Sequence, residues 1–434
     1  MDVTVHPSTL SGVLPAISSK SIAHRLLILA ALTDHVTQLG CNTTSEDIDA
    51  TAACMRALGA HITRTKEGFR VVGRAYTHTS QAHTPTEFDV NESGSTLRFL
   101  IPTIAALGVD AKIMVHGRLA ERPLEPLLGQ LRAHGVSISP EGTVPIELSG
   151  QLTGGRFDLP GNVSSQYVSG LMLAATKLSD PTEIWVTQPV ESRPYIDLTI
   201  DALSHFGFRV HEREEHALDK PATVFAIDPA AQTPDAELTV EGDWSNAAFW
   251  LAAGALSSEG VTVSGLNLQS AQGDRAILAA LSFLGARIAR KGMSARATKD
   301  HPHAAELDVS DFPDLVPPLA AVAAKSPGTT LLKNAGRLRL KESDRLATVS
   351  AALRALGVDA CIEGDTLRIQ GTDDISGGTV DAAHDHRIAM MAAILGAHAQ
   401  GPVRILGADC VSKSYPDFFL DFARIGGIYS REDA

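Results

Sequence analysis

Cationic and hydroxyl side chains recur at the starts of several apolar, helix-like segments. They are Lys20, Ser21 and Arg25 in the first segment, Arg98 in the second, Ser164, Ser165 and Gln166 in the third, and Arg387 in the sixth. A cation at a helix N-terminus opposes the helix dipole by about 0.3 to 1 kcal/mol, so a bound anion would make the placement favourable. Free N–H groups, hydroxyls and guanidinium groups together suit a phosphate or carboxylate. The alternative for any single helix is a capping group or a solvated charge.

The segment 341–345 combines both charges. Lys341 and Arg345 stand four residues apart, which on a helix places them on one face at a cost of about 0.2 to 0.5 kcal/mol. Glu342 stands three residues before Arg345 and can pair with it. A shared anion would account for the two cations, and the alternative is an exposed charged turn.

Three other charged residues are candidates for chemistry. Asp314 follows Pro313 at the start of a helical segment, where a carboxylate either caps the helix or acts as a general base. Arg122 and Lys413 lie in short segments that we expect to be loops. The alternative to a functional role for both residues is an exposed surface charge.

The sequence lacks the motifs of several common ligand sites. The pairs His301/His303 and His384/His386 have no HExxH or Cys-His set to complete a ligand shell, so we interpret them as structural and expect no metal. No GxxxxGK[ST] or GxGxxG loop is present, which argues against ordinary nucleotide binding. The net charge of -13 disfavours nucleic acid and anionic membranes as partners, so any anion needs a local basic site.

Two interleaved helix series must position these residues. One series is apolar all round and begins near Lys20, Ser95, Ser164, Trp244, Asp314 and His386. The other is amphipathic and ends at glycines that suit the left-handed position after a helix, namely Gly59, Gly135, Gly207, Gly285, Gly357 and Gly426. Both series repeat about every 72 residues, which predicts six copies of a unit with two helices and several strands.

A chain of 434 residues is too long for one ordinary core. The best break is the turn-rich stretch 228–235, which leaves three units on each side, in domains 18–235 and 236–434. Residues 1–17 are expected to give a strand that joins the second domain, so the chain crosses twice. Two crossings make a hinge, and we expect the active site in the cleft between the domains.

The composition indicates a soluble protein. Four cysteines without a CxxC pair fit a reducing compartment, and no window approaches the 18 or more apolar residues of a membrane span. We therefore expect a cytoplasmic protein that does not bind membranes.

Six phrases, in order along the chain, closely resemble the 5-enolpyruvylshikimate-3-phosphate synthase family of enolpyruvyl transferases, also called 3-phosphoshikimate 1-carboxyvinyltransferases. They are SSKSIAHR at 18–25, VSSQY at 163–167, SRPYID at 192–197, KESDR at 341–345, DHRIAM at 385–390 and KSYPD at 413–417. One such phrase alone would be weak evidence for the family, but six phrases in the same order are specific to it.

The resemblance implies a two-domain inside-out α/β barrel with six repeats of a βαβαββ unit, three in each domain, that closes on its substrates. It also implies the reaction. Phosphoenolpyruvate gives its enolpyruvyl group to the 5-hydroxyl of shikimate 3-phosphate and releases phosphate, in the shikimate pathway of aromatic amino acid biosynthesis. No metal or organic cofactor is expected, and the protein is expected to be a monomer.

The resemblance also implies binding residues. Those matching positions that hold shikimate 3-phosphate are Lys20, Ser21, Arg25, Ser164, Ser165, Gln166, Ser192, Tyr195, Asp314 and Lys341. Those matching positions that hold phosphoenolpyruvate are Lys20, Gly94, Arg122, Gln166, Arg345, Arg387 and Lys413. Arginines and lysines offset the repulsion between two anionic substrates, and a glycine lets the backbone approach one of them closely.

The implied chemistry is addition followed by elimination through a tetrahedral intermediate. Asp314 is our choice to take the hydroxyl proton, and Glu342 our choice to move the proton at C3. Lys20 and Lys413 are assigned as supporting cations that could also transfer protons. Glu92 and Phe99 depart from the residues common in the family, which are Asn and Pro.

Two alternatives belong to different classes. The sister enolpyruvyl transferase acts on UDP-N-acetylglucosamine, but it pairs its first Lys with Asn and usually uses a loop Cys, whereas here Ser21 follows Lys20 and no Cys lies between Cys54 and Cys361. A non-catalytic repeat scaffold would need neither the carboxylates nor the clustered cations.

Overall fold

The computed structural model describes residues 1–73, 85–217, 219–228 and 236–432. The chain divides into two compact units, which we call unit I (Lys20–Val240) and unit II (Met1–Ser19 together with Glu241–Ala434). Within the predicted break at 228–235, residues 229–235 lie outside the described residues. The domain boundaries proposed from the sequence therefore stay a prediction.

Both predicted helix series are present. The α-helices of the described residues are α1 (Lys20–Leu32), α2 (Glu46–Ala57), α3 (Gly94–Ala106), α4 (Leu127–Ala133), α5 (Ser165–Ala175), α6 (Arg193–His205), α7 (Trp244–Leu256), α8 (Ile277–Phe283), α9 (Val316–Ala323), α10 (Arg345–Ala355), α11 (His386–Ala397) and α12 (Phe418–Arg424). The odd-numbered helices are buried on almost every side, and the even-numbered helices bury one face. The apolar series therefore forms the interior of each unit.

The glycines that were predicted to end the amphipathic helices do so. All six have a positive φ, between 78° and 98°, in the turn after α2, α4, α6, α8, α10 or α12. L-residues with a side chain rarely adopt this conformation, so glycine marks the end of each helix in the sequence itself.

Strands complete the repeats. Those of the described residues are β1 (Asp2–His6), β2 (Gly12–Pro15), β3 (Val36–Gly40), β4 (His61–Arg64), β5 (Gly68–Val72), β6 (Thr86–Asp89), β7 (Ala111–Met114), β8 (Val136–Ile138), β9 (Ile146–Gly150), β10 (Gly155–Pro160), β11 (Thr182–Thr187), β12 (Arg209–Ala217), β13 (Lys220–Asp228), β14 (Glu237–Thr239), β15 (Val261–Ser264), β16 (Arg287–Lys291), β17 (Ser294–Thr298), β18 (Glu306–Asp308), β19 (Thr329–Lys333), β20 (Asp359–Glu363), β21 (Thr366–Gln370), β22 (Gly378–Asp381), β23 (Val403–Leu406) and β24 (Ile428–Glu432).

These strands form six four-stranded sheets with one topology. In the sheet of order β6-β7-β9-β8, β6 and β7 are parallel and joined through α3, whereas β9 is antiparallel to both of its neighbours. The same order recurs in β10-β11-β13-β12 and β18-β19-β21-β20. Each of these repeats therefore reads βαβαββ along the chain.

The other three sheets borrow a strand from a distant part of the sequence. β14 pairs in parallel with β3, and β2 pairs in parallel with β15. β1 lies between β23 and β24 and is antiparallel to both. The N-terminal segment thus supplies two strands to unit II, where the sequence predicted one.

A close helix contact fixes the site-bearing end of unit I. α3 and α5 pack side by side, and a Cβ on Gly170 would lie only 2.3 Å from the carbonyl oxygen of Arg98. Glycine is therefore required for α5 to approach α3 this closely. The approach brings the first turns of the two helices next to each other.

Candidate active site

In unit I, two guanidinium groups converge on the first turn of α3. A Cβ on Gly94 would lie 2.7 Å from Nη1 of Arg122 and 2.8 Å from Nη1 of Arg98. Arg98 donates to the carbonyl of Gly94 and to Oε1 of Gln166, both at 3.3 Å, and Nε2 of Gln166 donates to Ser95 Oγ at 2.9 Å. We call Gly94, Arg98, Arg122 and Gln166 the α3 cradle. Because the α3 cradle places two cations beside a helix N-terminus, it is suited to bind an anion.

Arg122 is a cation of the cradle with a buried donor that the described residues do not satisfy. Its side chain is partly buried, and its Nε has no hydrogen-bond partner among the described residues. No carboxylate in the described part of the chain forms an ion pair with it. A buried guanidinium donor without a partner is costly, and a bound carboxylate or phosphate would supply one.

Arg25 lies in a neighbouring pocket with neutral partners. Its guanidinium donates to Thr199 Oγ1 at 2.8 Å and to the carbonyls of Ser21 at 2.6 Å and Tyr195 at 2.8 Å. It also lies 4.9 Å from the ring centroid of Phe99. Burial lowers the pKa of Arg25 to about 9, with only a small opposing effect from Tyr195. The pocket therefore holds a positive charge, and its geometry is already fixed by protein oxygens.

The hydroxyl groups expected in the site lie at three helix starts, with Ser21 in the first turn of α1 and the others at the starts of α5 and α6. Ser164 is the N-cap of α5, and its hydroxyl accepts from the N–H of Gln166 at 3.3 Å, so the capping alternative holds at this residue. Ser165 is buried beside it. Ser192 is buried before α6 with φ 53° and ψ 37°, a left-handed conformation that is uncommon outside glycine. Strain of this kind is often found at functional sites.

Lys20 begins α1 and is paired with a residue that the sequence did not single out. Its Nζ lies 2.6 Å from Oδ2 of Asp47 in the first turn of α2, and both side chains are mostly buried. The pair fixes the ammonium group at the same end of unit I as the starts of α1 and α2.

In unit II, one carboxylate contacts three cations. Oδ1 of Asp314 lies 3.1 Å from Lys341 Nζ and 2.8 Å from Arg345 Nη1, and Oδ2 lies 3.2 Å from Arg387 Nη2. Asp314 belongs to a short 3-10 helix, Pro313–Leu315, whose N-cap position is Phe312. Asp314 is therefore the centre of an ionic cluster and not a helix cap.

Arg345 connects that carboxylate to two others. It is almost fully buried, and it donates to Asp314, to Glu342 Oε2 at 2.5 Å, and through Nε to Asp385 Oδ2 at 2.8 Å. Asp385 is fully buried and also accepts from the N–H of Arg387 at 3.0 Å as the N-cap of α11. We call Asp314, Lys341, Glu342, Arg345, Asp385 and Arg387 the Asp314 cluster.

The cluster strongly perturbs its ionisable groups. Burial alone would raise the pKa of Asp314, but the positive charges of Arg387, Lys341 and Arg345 outweigh it and hold that pKa well below the usual value. Burial lowers the pKa of Lys341, and the negative charge of Asp314 partly offsets this effect. Burial would also lower the pKa of Arg345, but the surrounding carboxylates raise it. The neighbouring cations therefore keep the carboxylate of Asp314 ionised.

The structure corrects one local interpretation. Lys341 and Arg345 were expected on one face of a helix, but residues 341–344 precede α10, which begins at Arg345 with Asp344 as its N-cap. The anion that these two cations share is the carboxylate of Asp314. The predicted pairing of Glu342 with Arg345 is confirmed.

The remaining candidates lie as follows. Arg387 is buried in the first turn of α11, and Lys413 is buried at the end of a 3-10 helix, Ala408–Lys413. The carboxylate of Glu92 lies against Gly117, where any Cβ would overlap it. Phe99 is buried between Arg25 and the edge of the His24 ring. Both unusual residues are thus accommodated within unit I.

Three residues of the site were not assigned from the sequence. Arg98 was noted only as a charge at a helix start, and Asp47 and Asp385 were not given roles. An Asp directly before an apolar helix is a recognised N-cap signal, so Asp385 could have been found as a cap. Its bond to Arg345, 40 residues earlier in the sequence, has no local signal.

The described residues contain neither a candidate metal site nor a candidate membrane-spanning helix. No group of three or more His, Cys, Asp or Glu side chains in the described ranges is arranged to hold a metal ion. Of the residues flagged in the sequence, His301 is largely exposed and His303 bonds the carbonyl of His301 at 2.8 Å. None of the helices in the described part of the chain has the length and hydrophobicity that a membrane span needs.

Comparison with known proteins points to one family. A profile of the family described as EPSP synthase (3-phosphoshikimate 1-carboxyvinyltransferase) matches residues 5–422. The 3-phosphoshikimate 1-carboxyvinyltransferase of Clostridium kluyveri is 37% identical over 426 residues, 98% of this chain and 97% of that protein. The protein of the same name from Clostridium acetobutylicum is 38% identical over 430 residues, 98% of this chain and 97% of that protein.

A solved structure agrees at the level of the fold. The EPSP synthase from Acinetobacter baumannii superposes with a TM-score of 0.78 at 24% identity, covering 99% of this chain and 100% of that chain. This likeness confirms the predicted α/β fold class, with its six four-stranded βαβαββ repeats.

Proposed function

The chain belongs to the EPSP synthase (3-phosphoshikimate 1-carboxyvinyltransferase) family, and from that premise we propose how its residues carry out the family's reaction. It is an enzyme of the shikimate pathway that transfers the enolpyruvyl group of phosphoenolpyruvate to the 5-hydroxyl of shikimate 3-phosphate and releases phosphate. The family assignment does not favour the UDP-sugar transferase or the non-catalytic scaffold.

The partnerless Nε of Arg122 is the observation that carries the assignment of the phosphoenolpyruvate subsite. Arg122 and Arg98 converge on Gly94 without a carboxylate on Arg122, so the cradle has positive charge available for a small anion. Phosphoenolpyruvate offers a carboxylate and a phosphate, both of which suit guanidinium donors and free N–H groups of a helix start. We assign Gly94, Arg122 and Gln166 to phosphoenolpyruvate.

The neighbouring polar groups of unit I are assigned to shikimate 3-phosphate. They are Lys20, Ser21, Arg25, Ser164, Ser165, Gln166, Ser192 and Tyr195. The positive charge of Arg25 and the hydroxyls at the starts of α5 and α6 suit a phosphate and several ring hydroxyls. Lys20 is shared with phosphoenolpyruvate, because an ammonium group is a compact point charge that can serve two anions.

The Asp314 cluster is assigned to proton transfer and to the charges of both substrates. Asp314 takes the proton of the attacking hydroxyl, and Lys341 binds shikimate 3-phosphate. Arg345, Arg387 and Lys413 bind phosphoenolpyruvate. In the arrangement described here Asp314 is a weak base, because the cations hold its pKa low. Substrate anions that bind Lys341 and Arg387 weaken that attraction and raise the pKa of Asp314 towards the range of a general base.

Glu342 is assigned to the proton at C3 of phosphoenolpyruvate. Its side chain is held by Arg345 and is mostly buried, so its position is fixed. In its protonated form it gives a proton to C3 in the addition and takes that proton back in the elimination, while the hydroxyl proton taken by Asp314 passes to the leaving phosphate. Lys20 and Lys413 support charge development and could also transfer protons.

The cellular location, oligomeric state and cofactors of the protein are proposed on the basis of its family. We propose a cytoplasmic monomer that uses no metal or organic cofactor. Light scattering coupled to size exclusion measures the mass of the particle, and 45.8 kDa is the value expected for one chain. A particle of twice that mass at micromolar concentration would contradict the monomer.

Phosphate release tests the assigned reaction. Phosphoenolpyruvate is supplied with shikimate 3-phosphate, with UDP-N-acetylglucosamine or with no acceptor, and release is expected only with shikimate 3-phosphate. Removing the Arg122 guanidinium in Arg122→Ala should raise the KM for phosphoenolpyruvate by about 10- to 100-fold, the equivalent of one or two charge-assisted hydrogen bonds.

A nearby arginine gives the matched control. Arg118 lies in the preceding 3-10 helix, Gly117–Glu121, is half exposed and pairs with Glu121 at 3.6 Å. Arg118→Ala should leave the KM for phosphoenolpyruvate near the wild-type value. Equal effects of the two substitutions would refute the assignment of Arg122.

A further inference from the structure

A chain of four buried polar side chains crosses unit I beside the α3 cradle. His24 Nδ1 lies 2.6 Å from Thr51 Oγ1, which lies 2.7 Å from Thr96 Oγ1, which in turn lies 2.7 Å from Ser93 Oγ. All four side chains are completely buried. We call them the hydroxyl chain. It links α1, α2 and the start of α3, and none of its members has been assigned a contact with substrate.

The hydrogen bonds of the chain have a consistent direction. One direction satisfies all three bonds: the Nδ1–H of His24 donates to Thr51, Thr51 donates to Thr96, and Thr96 donates to Ser93. The hydroxyls of Thr51 and Thr96 can alternatively donate to the carbonyl of Asp47. Burial lowers the pKa of His24 to about 3, so the ring is neutral at any ordinary working pH. The chain is therefore an uncharged, ordered set of bonds that ends at Ser93.

The hydroxyl chain meets groups of the proposed site at its Ser93 end and through its two middle members. Ser93 is the N-cap of α3, accepts from the N–H of Thr96 at 3.3 Å and directly precedes Gly94. Thr51 and Thr96 also contact the main-chain oxygen of Asp47, at 3.4 and 3.5 Å. The carboxylate of Asp47 holds Lys20. The first turn of α3 and the ammonium group of Lys20 therefore both contact Asp47.

Keeping these groups in the core is costly, which indicates that packing alone does not account for them. The Nε2 of His24 is buried and has no hydrogen-bond partner among the described residues. Apolar residues of similar size would fill the same volume without burying a nitrogen that lacks a partner. Hydrogen bonds are directional, so they fix the relative position of the elements that they join more strictly than apolar contacts do.

We propose that the hydroxyl chain is a positioning device for the phosphoenolpyruvate subsite, and that Thr96 is its key residue. The chain holds the first turn of α3, and with it Gly94 and the α3 cradle, at a fixed place relative to Lys20. This inference rests on the proposed assignment of Gly94, Arg122 and Lys20 to phosphoenolpyruvate. It predicts an effect on the binding of that substrate which exceeds the effect on binding of shikimate 3-phosphate.

The test removes one hydroxyl at nearly constant volume. Thr96→Val should raise the KM for phosphoenolpyruvate by about three- to ten-fold, the equivalent of one hydrogen bond, while kcat and the KM for shikimate 3-phosphate change by less than about two-fold. Thr96→Ser keeps the hydroxyl and should restore the wild-type KM. If Thr96→Val does not fold, Thr51→Val removes the preceding link and should give the same selective rise.

A second threonine of α3 provides the control. Thr103 is also completely buried, and its hydroxyl donates to the carbonyl of Phe99 at 2.7 Å, within the same helix and away from the first turn. Thr103→Val should leave the KM for phosphoenolpyruvate unchanged. An equal rise in Thr103→Val, or no rise in Thr96→Val, would overturn the inference while wild-type activity stands. Absence of phosphate release that depends on shikimate 3-phosphate in the wild type would instead overturn the proposed function and the inference with it.

Discussion

Gly94→Ala is a direct test of the geometry of the α3 cradle. The added Cβ would lie 2.7 Å from Arg122 Nη1 and 2.8 Å from Arg98 Nη1, whereas ordinary van der Waals contact begins at 3.4 Å. The two guanidinium groups must therefore move away by about 0.6 to 0.7 Å. Because a misplacement of about 1 Å can cost about 100-fold in an oriented site, we expect the KM for phosphoenolpyruvate to rise by about 10- to 100-fold.

The substitution should act on binding and not on folding. Gly94 is the first residue of α3 and its φ lies outside the positive region, so alanine can adopt the same backbone and is a better helix former. The assay is steady-state phosphate release against phosphoenolpyruvate at saturating shikimate 3-phosphate, together with a thermal melt.

A glycine of a neighbouring helix is the control for Gly94→Ala. Gly129 lies in α4, and a Cβ there would meet only the carboxylate of Glu125, at 3.2 Å. Gly129→Ala should therefore have wild-type kinetics. If Gly94→Ala keeps a KM for phosphoenolpyruvate within about two-fold of wild type, the cradle does not bind this substrate as argued.

Two further predictions concern ionisable groups. Glu342→Gln preserves the shape of the side chain but removes its proton transfer, so it should lower kcat by about 100-fold or more and leave both KM values nearly intact. Steady-state kinetics measure this, and a near wild-type kcat would reject the role of Glu342. His24 should make folding sensitive to acid, because its pKa of about 3 in the folded protein lies below the 6.5 of the unfolded chain, so the unfolded chain binds the proton first as the pH falls. Below pH 6.5 the wild type should lose stability relative to His24→Asn at a rate approaching about 1.4 kcal/mol per pH unit. Denaturant unfolding at pH 7, 6 and 5 measures this difference, and a difference that is independent of pH would contradict the buried, neutral His24.

Much of the fold could be predicted from local patterns. The two helix series, their spacing and the glycines after the amphipathic helices follow from side-chain periodicity and from the special backbone of glycine, and both are properties of short segments. The position of β1 between β23 and β24 could not be predicted from the sequence, because strands that pair across some 400 residues carry no local signal of their partners.

The site shows the same division between local and distant information. Candidate binding residues at helix starts, such as Lys20 and Arg387, could be selected because cations are unfavourable there. The partners of Arg345 could not, because Asp314 and Asp385 lie 31 and 40 residues away from it in the sequence. The helical face proposed for Lys341 and Arg345 was wrong although a local signal existed, since Asp344 is an N-cap residue and starts the helix at Arg345.

The most direct measurement of the central claim is a phosphorus NMR time course with the wild-type protein and both substrates. The assignment predicts that the phosphoenolpyruvate signal falls as inorganic phosphate appears in equal amount, while the phosphate of shikimate 3-phosphate is retained in the new enolpyruvyl ether. It also predicts no change when shikimate 3-phosphate is omitted. Release of phosphate from phosphoenolpyruvate alone, or loss of the phosphate of shikimate 3-phosphate, would contradict it.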